Sequence, residues 1–125
     1  MSIAVIGDIF VDIKGHPNGV FIPDGRNPGR METVHGGVGR NAAEDLARIG
    51  IPVKFAALAD FGGTGDDVIR RLNESGVDTS CMVRSENGMG TWMAIFNEKG
   101  DVAANISIRP DLTPLKDVII EKEKA

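Results

Sequence analysis

The residues best suited to chemistry are Gly36-Gly37-Val38-Gly39-Arg40-Asn41-Ala42-Ala43. Glycines let a backbone approach a ligand closely, and a helix opening here would aim unpaired N–H groups and the positive end of its dipole at that ligand. Asn41, one turn in, both donates and accepts hydrogen bonds, which suits vicinal hydroxyls. The same glycines would equally serve tight strand-to-helix packing with no ligand at all. A third reading takes Gly37-x-Gly39-x-x-Ala42 as a dinucleotide fingerprint, with Asp60 downstream as the acidic ribose reader of a Rossmann fragment. That fingerprint belongs directly after a buried strand, whereas these glycines follow the polar stretch Glu32-Thr33-Val34-His35.

Other chemistry is sparse. No Gly-x-x-x-x-Gly-Lys-Ser/Thr phosphate loop occurs, and no His/Cys cluster suggests a metal; His16 and His35 read as loop residues. Gly62-Gly63-Thr64-Gly65-Asp66-Asp67 looks superficially like an anion-binding turn, but Thr64 reads better as a helix cap.

The elements that must position the glycine motif follow from periodicity. Ser2–Ile6 is a short β-branched run closed by Gly7, and reads as a buried parallel strand. Residues 15–30 carry three prolines and four glycines in turn dipeptides, so loops and short edge strands are expected there, with one more strand at Met31–His35. From Val38 to Ile49 the pattern is helical, with Val38, Ala42, Leu46 and Ile49 on one stripe and Gly50 as the stop. Val53–Leu58 reads as a strand, followed by a helix that buries Val68, Ile69 and Leu72 and ends at Gly76. This alternation argues for a parallel α/β sheet of three strands or fewer. Thr91–Phe96 and Val102–Ile108 then read as a hairpin about a polar turn at 97–101, with Trp92, Ala94 and Phe96 on one face and Thr91, Met93 and Ile95 on the other. Thr113-Pro114 opens a helix through Leu115, Val118 and Ile119 that has no stop signal before Ala125, which reads as an unfinished helix.

Bulk properties narrow the class. A chain of 125 residues supports one modest core. The net charge of -4 argues against nucleic-acid binding, and a single cysteine gives no internal disulfide. No apolar run is long enough to cross a membrane, and no basic residue precedes the first one as in a signal peptide. A cytoplasmic protein is expected.

Gly36-Gly37-x-Gly39-x-Asn41-x-Ala43, followed by Gly50, resembles the first signature of the PfkB (ribokinase-like) family of carbohydrate kinases. Gly65 and Gly76-Val77-Asp78-Thr79 fit the same pattern, and the resemblance covers nearly the whole chain. Within the family, Val11-Asp12-Ile13-Lys14-Gly15, Asn27-Pro28-Gly29 and the Gly36–Asn41 run are most similar to pseudouridine kinases. The resemblance implies a three-layer α/β/α fold with a small β-sheet lid from about 15–35 and 91–108, residues 1–125 being the N-terminal part of one kinase domain. It implies phosphoryl transfer from ATP with Mg²⁺ to a hydroxyl of a sugar or nucleoside, and a homodimer formed through the lid. It further implies a substrate site at Asp12, Gly36, Gly37, Asn41, Trp92 and Ile106. The family's catalytic base and nucleotide site are not in this segment, which is therefore expected to be inactive alone and to bind no cofactor. Phe10 departs from ribokinases, which carry an asparagine there. A non-catalytic sugar-binding or dimerisation module of the same fold is the alternative.

Overall fold

A computed structural model of the chain describes residues 2–117. Strand β1 (Ile3–Ile6) leads to β2 (Phe10–Pro17) and β3 (Gly29–Gly36), and helix α1 (Val38–Arg48) follows. Then come β4 (Val53–Ala56), β5 (Leu58–Ala59), α2 (Gly63–Glu74), β6 (Val83–Arg84), β7 (Gly90–Phe96) and β8 (Val102–Ile108). The tail of the last expected helix, with Val118 and Ile119, lies outside the described residues.

The strands form two kinds of sheet. β1 pairs in parallel with β4, and β5 with β6, as the α/β alternation predicts. The other four strands form a separate mixed sheet in the order β3-β2-β7-β8, so residues 90–108 are an antiparallel hairpin outside the β1-β4 and β5-β6 pairs, joined to β2 through the parallel β2-β7 pairing. The expectation of three strands or fewer undercounts the body, because Ala57 divides one expected strand and Val83–Arg84 is too short to show a period. The excursion is likewise more regular than its turn dipeptides suggest. Residues 10–17 and 29–36 are two full antiparallel strands, leaving a loop of 18–28. Asn27 folds that loop, its Oδ1 accepting the Ile22 N–H at 2.7 Å, and the Phe21 N–H reaches Glu98 beside the hairpin turn at 2.9 Å.

The main core lies between the parallel strands and the two helices. Ile9, Val11, Phe55, Val68, Leu72 and Met89 are buried there, and truncating one of the larger side chains would cost roughly 2–5 kcal/mol. Helices α1 and α2 lie side by side, with Ser75 Oγ 3.5 Å from Glu44 Oε1. Both end as expected, at Gly50 (φ 90°) and Gly76 (φ 94°).

Three expectations need correction. The buried face of α1 holds Gly39, Arg40 and Ala43, while Val38 is 85% exposed and Ile49 is exposed too; close packing against β1 favours the small residues. β1 is parallel but not fully buried, since it pairs along one edge only, and Ile6 is 52% exposed. Helix α2 begins after Gly62 with no side-chain cap, so Thr64 lies inside its first turn. No helix among the described residues is long and apolar enough to cross a membrane.

His35, expected in a loop, is buried on β3 and faces α2. Its Nε2 lies 3.3 Å from Asp67 Oδ2, and burial, helped by the Arg71 charge, pushes its imidazole below the usual histidine range.

A Cβ at Gly39 would lie 2.8 Å from Gly7 Cα and 3.0 Å from the Asp8 N, both backbone atoms that cannot swing aside. Gly39→Ala should therefore destabilise the protein by about 1–3 kcal/mol in urea denaturation. Gly19→Ala, which meets nothing within 4 Å, should leave the midpoint unchanged. Equal midpoints for the two variants would refute the close packing.

Candidate functional site

The register of the four-stranded sheet assigns its side chains to faces, because paired residues point the same way. Asp12 stands between Val34 on β3 and Trp92 on β7, and Trp92 is paired in turn with Ser107 on β8. These residues, with Phe10 and Gly36, share one face. Val11, Ile13, His35, Met93 and Ile106 occupy the other.

Asp12 and Gly36 come together directly. A Cβ built on Gly36 would have the Phe10 carbonyl oxygen at 3.9 Å and Asp12 Oδ2 at 4.0 Å as its nearest neighbours. The ground over Gly36 is thus free of side chains, with a carboxylate oxygen at its margin. A hydroxyl placed there could donate to Asp12, a charge-assisted bond of the stronger kind.

Trp92 borders Asp12 on the same face. Its ring meets Phe96 edge-on (centroids 6.4 Å apart, 84° between planes), and its Nε1–H points to Asn105 Oδ1 at 3.4 Å. Phe96 stacks on His16 at 4.7 Å, which extends the aromatic row toward the loop. Ile106, 72% exposed, lies on the opposite face, so one substrate bound to this chain cannot touch both Trp92 and Ile106.

Gly37 answers to backbone demands. Its φ is 100°, and an added Cβ would crowd the Asp8 carbonyl oxygen at 2.9 Å and the Phe10 N at 3.1 Å. The first-turn N–H groups of α1, expected to face a ligand, are instead turned toward Asp8: Arg40 N–H donates to its carbonyl at 3.2 Å, and Gly39 N–H faces its Oδ1 at 3.5 Å. Asp8 thus places a negative charge at the positive helix end. Sequence reasoning passed over it because the cap is thirty-one residues away along the chain. The glycines differ: Gly39 and Gly37 are required by close packing, whereas the space over Gly36 is open.

Asn41 is exposed at the first turn, and its Oδ1 accepts from Arg40 Nη1 at 3.1 Å, while its amide N–H groups make no hydrogen bond among the described residues. Its backbone N–H bonds the Gly37 carbonyl at 2.9 Å, linking it to the turn that carries Gly36. The dinucleotide reading is overturned. The strand before α1 is the antiparallel edge strand β3, and the Asp60 carboxylate is committed to the Met89 N–H at 2.9 Å.

A charged groove of about 650 Å³ lies between α1 and α2, but its arginines are matched within the chain: Arg40 and Arg48 by Glu44, Arg70 by Glu74, Arg71 by Asp67. Among the described residues no group of three or more His, Cys, Asp or Glu is arranged for a metal.

Comparison with known proteins accords with this arrangement. The chain is 35% identical over 122 residues to the guanosine-inosine kinase of Exiguobacterium acetylicum, a match covering 97% of this chain and 40% of that protein. It is 24% identical over 106 residues to the pseudouridine kinase of Escherichia coli K12, covering 84% and 34% respectively. The solved carbohydrate kinase from Agrobacterium tumefaciens superposes with a TM-score of 0.76 at 26% identity, over 86% of this chain and 36% of that one. The chain therefore spans 40% or less of the length of these relatives. The family model of the pfkB carbohydrate kinases matches residues 1–117, and the chain, with its ribokinase-like α/β body and small mixed sheet, belongs to that family.

Proposed function

We propose that this segment is the substrate-binding, N-terminal part of an ATP-dependent kinase that phosphorylates a hydroxyl of a sugar or nucleoside, pseudouridine being one candidate. The observation that carries the reading is the bare ground over Gly36 with Asp12 Oδ2 at its edge. A sugar ring laid there donates a hydroxyl to Asp12, while the Asn41 amide donates to a neighbouring oxygen and the Gly37 turn holds both in place. Trp92 covers the ring from the adjacent strand. Phosphoryl transfer depends mostly on such positioning and on charge stabilisation. ATP, Mg²⁺ and the general base are assigned to the remainder of the kinase, so residues 1–125 alone form no catalytic centre. Two of the relatives are named for nucleosides, which supports a nucleoside acceptor.

In this reading the four-stranded sheet is the lid, and its second face pairs with another copy. That face carries Met31 (84% exposed), Ile106, Met93, Ile95 and Ile108 in adjacent register, an apolar surface that would otherwise promote aggregation. Ile106 can then reach a substrate only if that substrate belongs to the second copy. Light scattering of the full-length protein at micromolar concentration should give a dimer, and Ile106→Glu a monomer. A strictly monomeric wild type would refute the pairing.

In the full-length kinase, Asp12→Ala and Asn41→Ala should each lower kcat/KM by about 10–150-fold, equivalent to ~1.5–3 kcal/mol for a hydrogen bond to a charged or fixed group. The Tm should scarcely move, since neither side chain is buried. Unchanged kcat/KM in both variants would remove these residues from the site.

A further inference from the structure

Phe10 stands on a rung of the mixed sheet with glycine on both sides, Gly36 on β3 and Gly90 on β7. Its ring does not share that space evenly. A Cβ at Gly90 would lie 2.3 Å from Phe10 Cε1, 2.5 Å from Cδ1 and 2.8 Å from Cζ, while one at Gly36 would have only the Phe10 carbonyl oxygen and Asp12 Oδ2 near it. The ring is therefore laid over Gly90, which is buried beneath it, and the ground over Gly36 stays clear. Gly90 is in an ordinary strand conformation without positive φ, so its backbone alone does not call for glycine. What its lack of a side chain admits is the aromatic ring.

The result is an asymmetric site. The Asp12 carboxylate is flanked on its own strand by Phe10, two residues earlier on the same face, and across the sheet by Trp92. Binding sites of this type combine a few polar groups with apolar walls that exclude water. A free monosaccharide can set one ring face against Trp92, but it has nothing planar to offer the second wall at Phe10, where its remaining hydroxyls would lose water without gaining a partner. A nucleoside gathers its hydroxyls on one edge and offers a planar base, which gains from stacking against aromatic surfaces.

Building on the kinase reading above, we propose that Phe10, seated on Gly90, is a specificity-determining residue that makes the enzyme select nucleosides over free monosaccharides. Gly90 acts through Phe10: an alanine there would displace the ring from its seat.

The test measures kcat/KM of the full-length kinase for guanosine, inosine and pseudouridine against ribose and fructose. The wild type should favour at least one nucleoside by about 10-fold or more. Phe10→Ala should lower that nucleoside's kcat/KM by roughly 10–200-fold, the range for a lost apolar pocket contact, with a much smaller change for the monosaccharides. Gly90→Ala should shift the ratio in the same direction with Phe10 still present. If Phe10→Ala does not fold by circular dichroism, Phe10→Leu and Gly90→Ala decide the matter. A wild type that prefers monosaccharides, or folded variants that keep the wild-type ratio, would overturn the role of Phe10 while leaving the kinase reading intact. A wild type that phosphorylates neither class would overturn that reading and the inference with it.

Discussion

The backbone contact between Gly7 and Gly39 is the constraint from which the site is built. Cβ atoms at either position would sit 2.8 Å from the opposite Cα, so only two glycines allow the approach. Gly7 ends β1 and is bonded to β4 through the Ala56 carbonyl at 3.2 Å, while Gly39 lies in the first turn of α1. Everything from residue 8 to residue 38, including β2 and β3, is therefore an excursion whose two ends are clamped together. The clamp joins the parallel strands, the mixed sheet and the helix at one point. Asp8 reinforces it by accepting from the start of α1. Asp12 and Gly36 lie just outside the clamp on the two returning strands, which is why residues 24 apart in sequence meet across the sheet.

The position of the site follows from this arrangement. β2 and β3 leave the clamp as an antiparallel pair, and β7 joins β2 in parallel on its other side. Strand alternation then sends Val11 and His35 toward the body and Asp12 and Gly36 the opposite way. One face of the mixed sheet thus anchors to the core near the clamp and becomes exposed and apolar further out. The other face gathers the carboxylate, the open glycine and the aromatic residues. The candidate site and the face that packs on the body are separated by a period of two.

Much of this was legible in the sequence, and the failures have specific causes. Helix α1, the stops at Gly50 and Gly76, and the 91–108 hairpin follow from periodicity and turn chemistry, and the structure bears them out, with the hairpin beginning one residue earlier at Gly90. The glycine motif and Asp12 carried the family resemblance. The strand expected at Met31–His35 is present, but its extension to 29–36 and the whole strand at 10–17 are masked by Gly15, Pro17 and Gly29, residues that usually break strands but here sit at strand ends or on the paired excursion. The buried face of α1 was misassigned because apolar Val38 and Ile49 outweighed small Gly39 and Ala43 in the pattern, whereas the close approach to Gly7 selects for size. Asp8 as a helix partner and Gly90 as the seat of Phe10 were not readable at all. Each is a contact between distant residues, and neither follows a local spacing rule.

The central claim is that a substrate hydroxyl binds to Asp12 over the bare backbone of Gly36. A crystal structure of the full-length protein soaked with a nucleoside it phosphorylates tests this directly. The account predicts a ribose hydroxyl at hydrogen-bond distance, about 2.5–3.0 Å, from an Asp12 carboxylate oxygen, with the sugar above Gly36. A ribose bound elsewhere, with Asp12 in contact only with solvent, would contradict it.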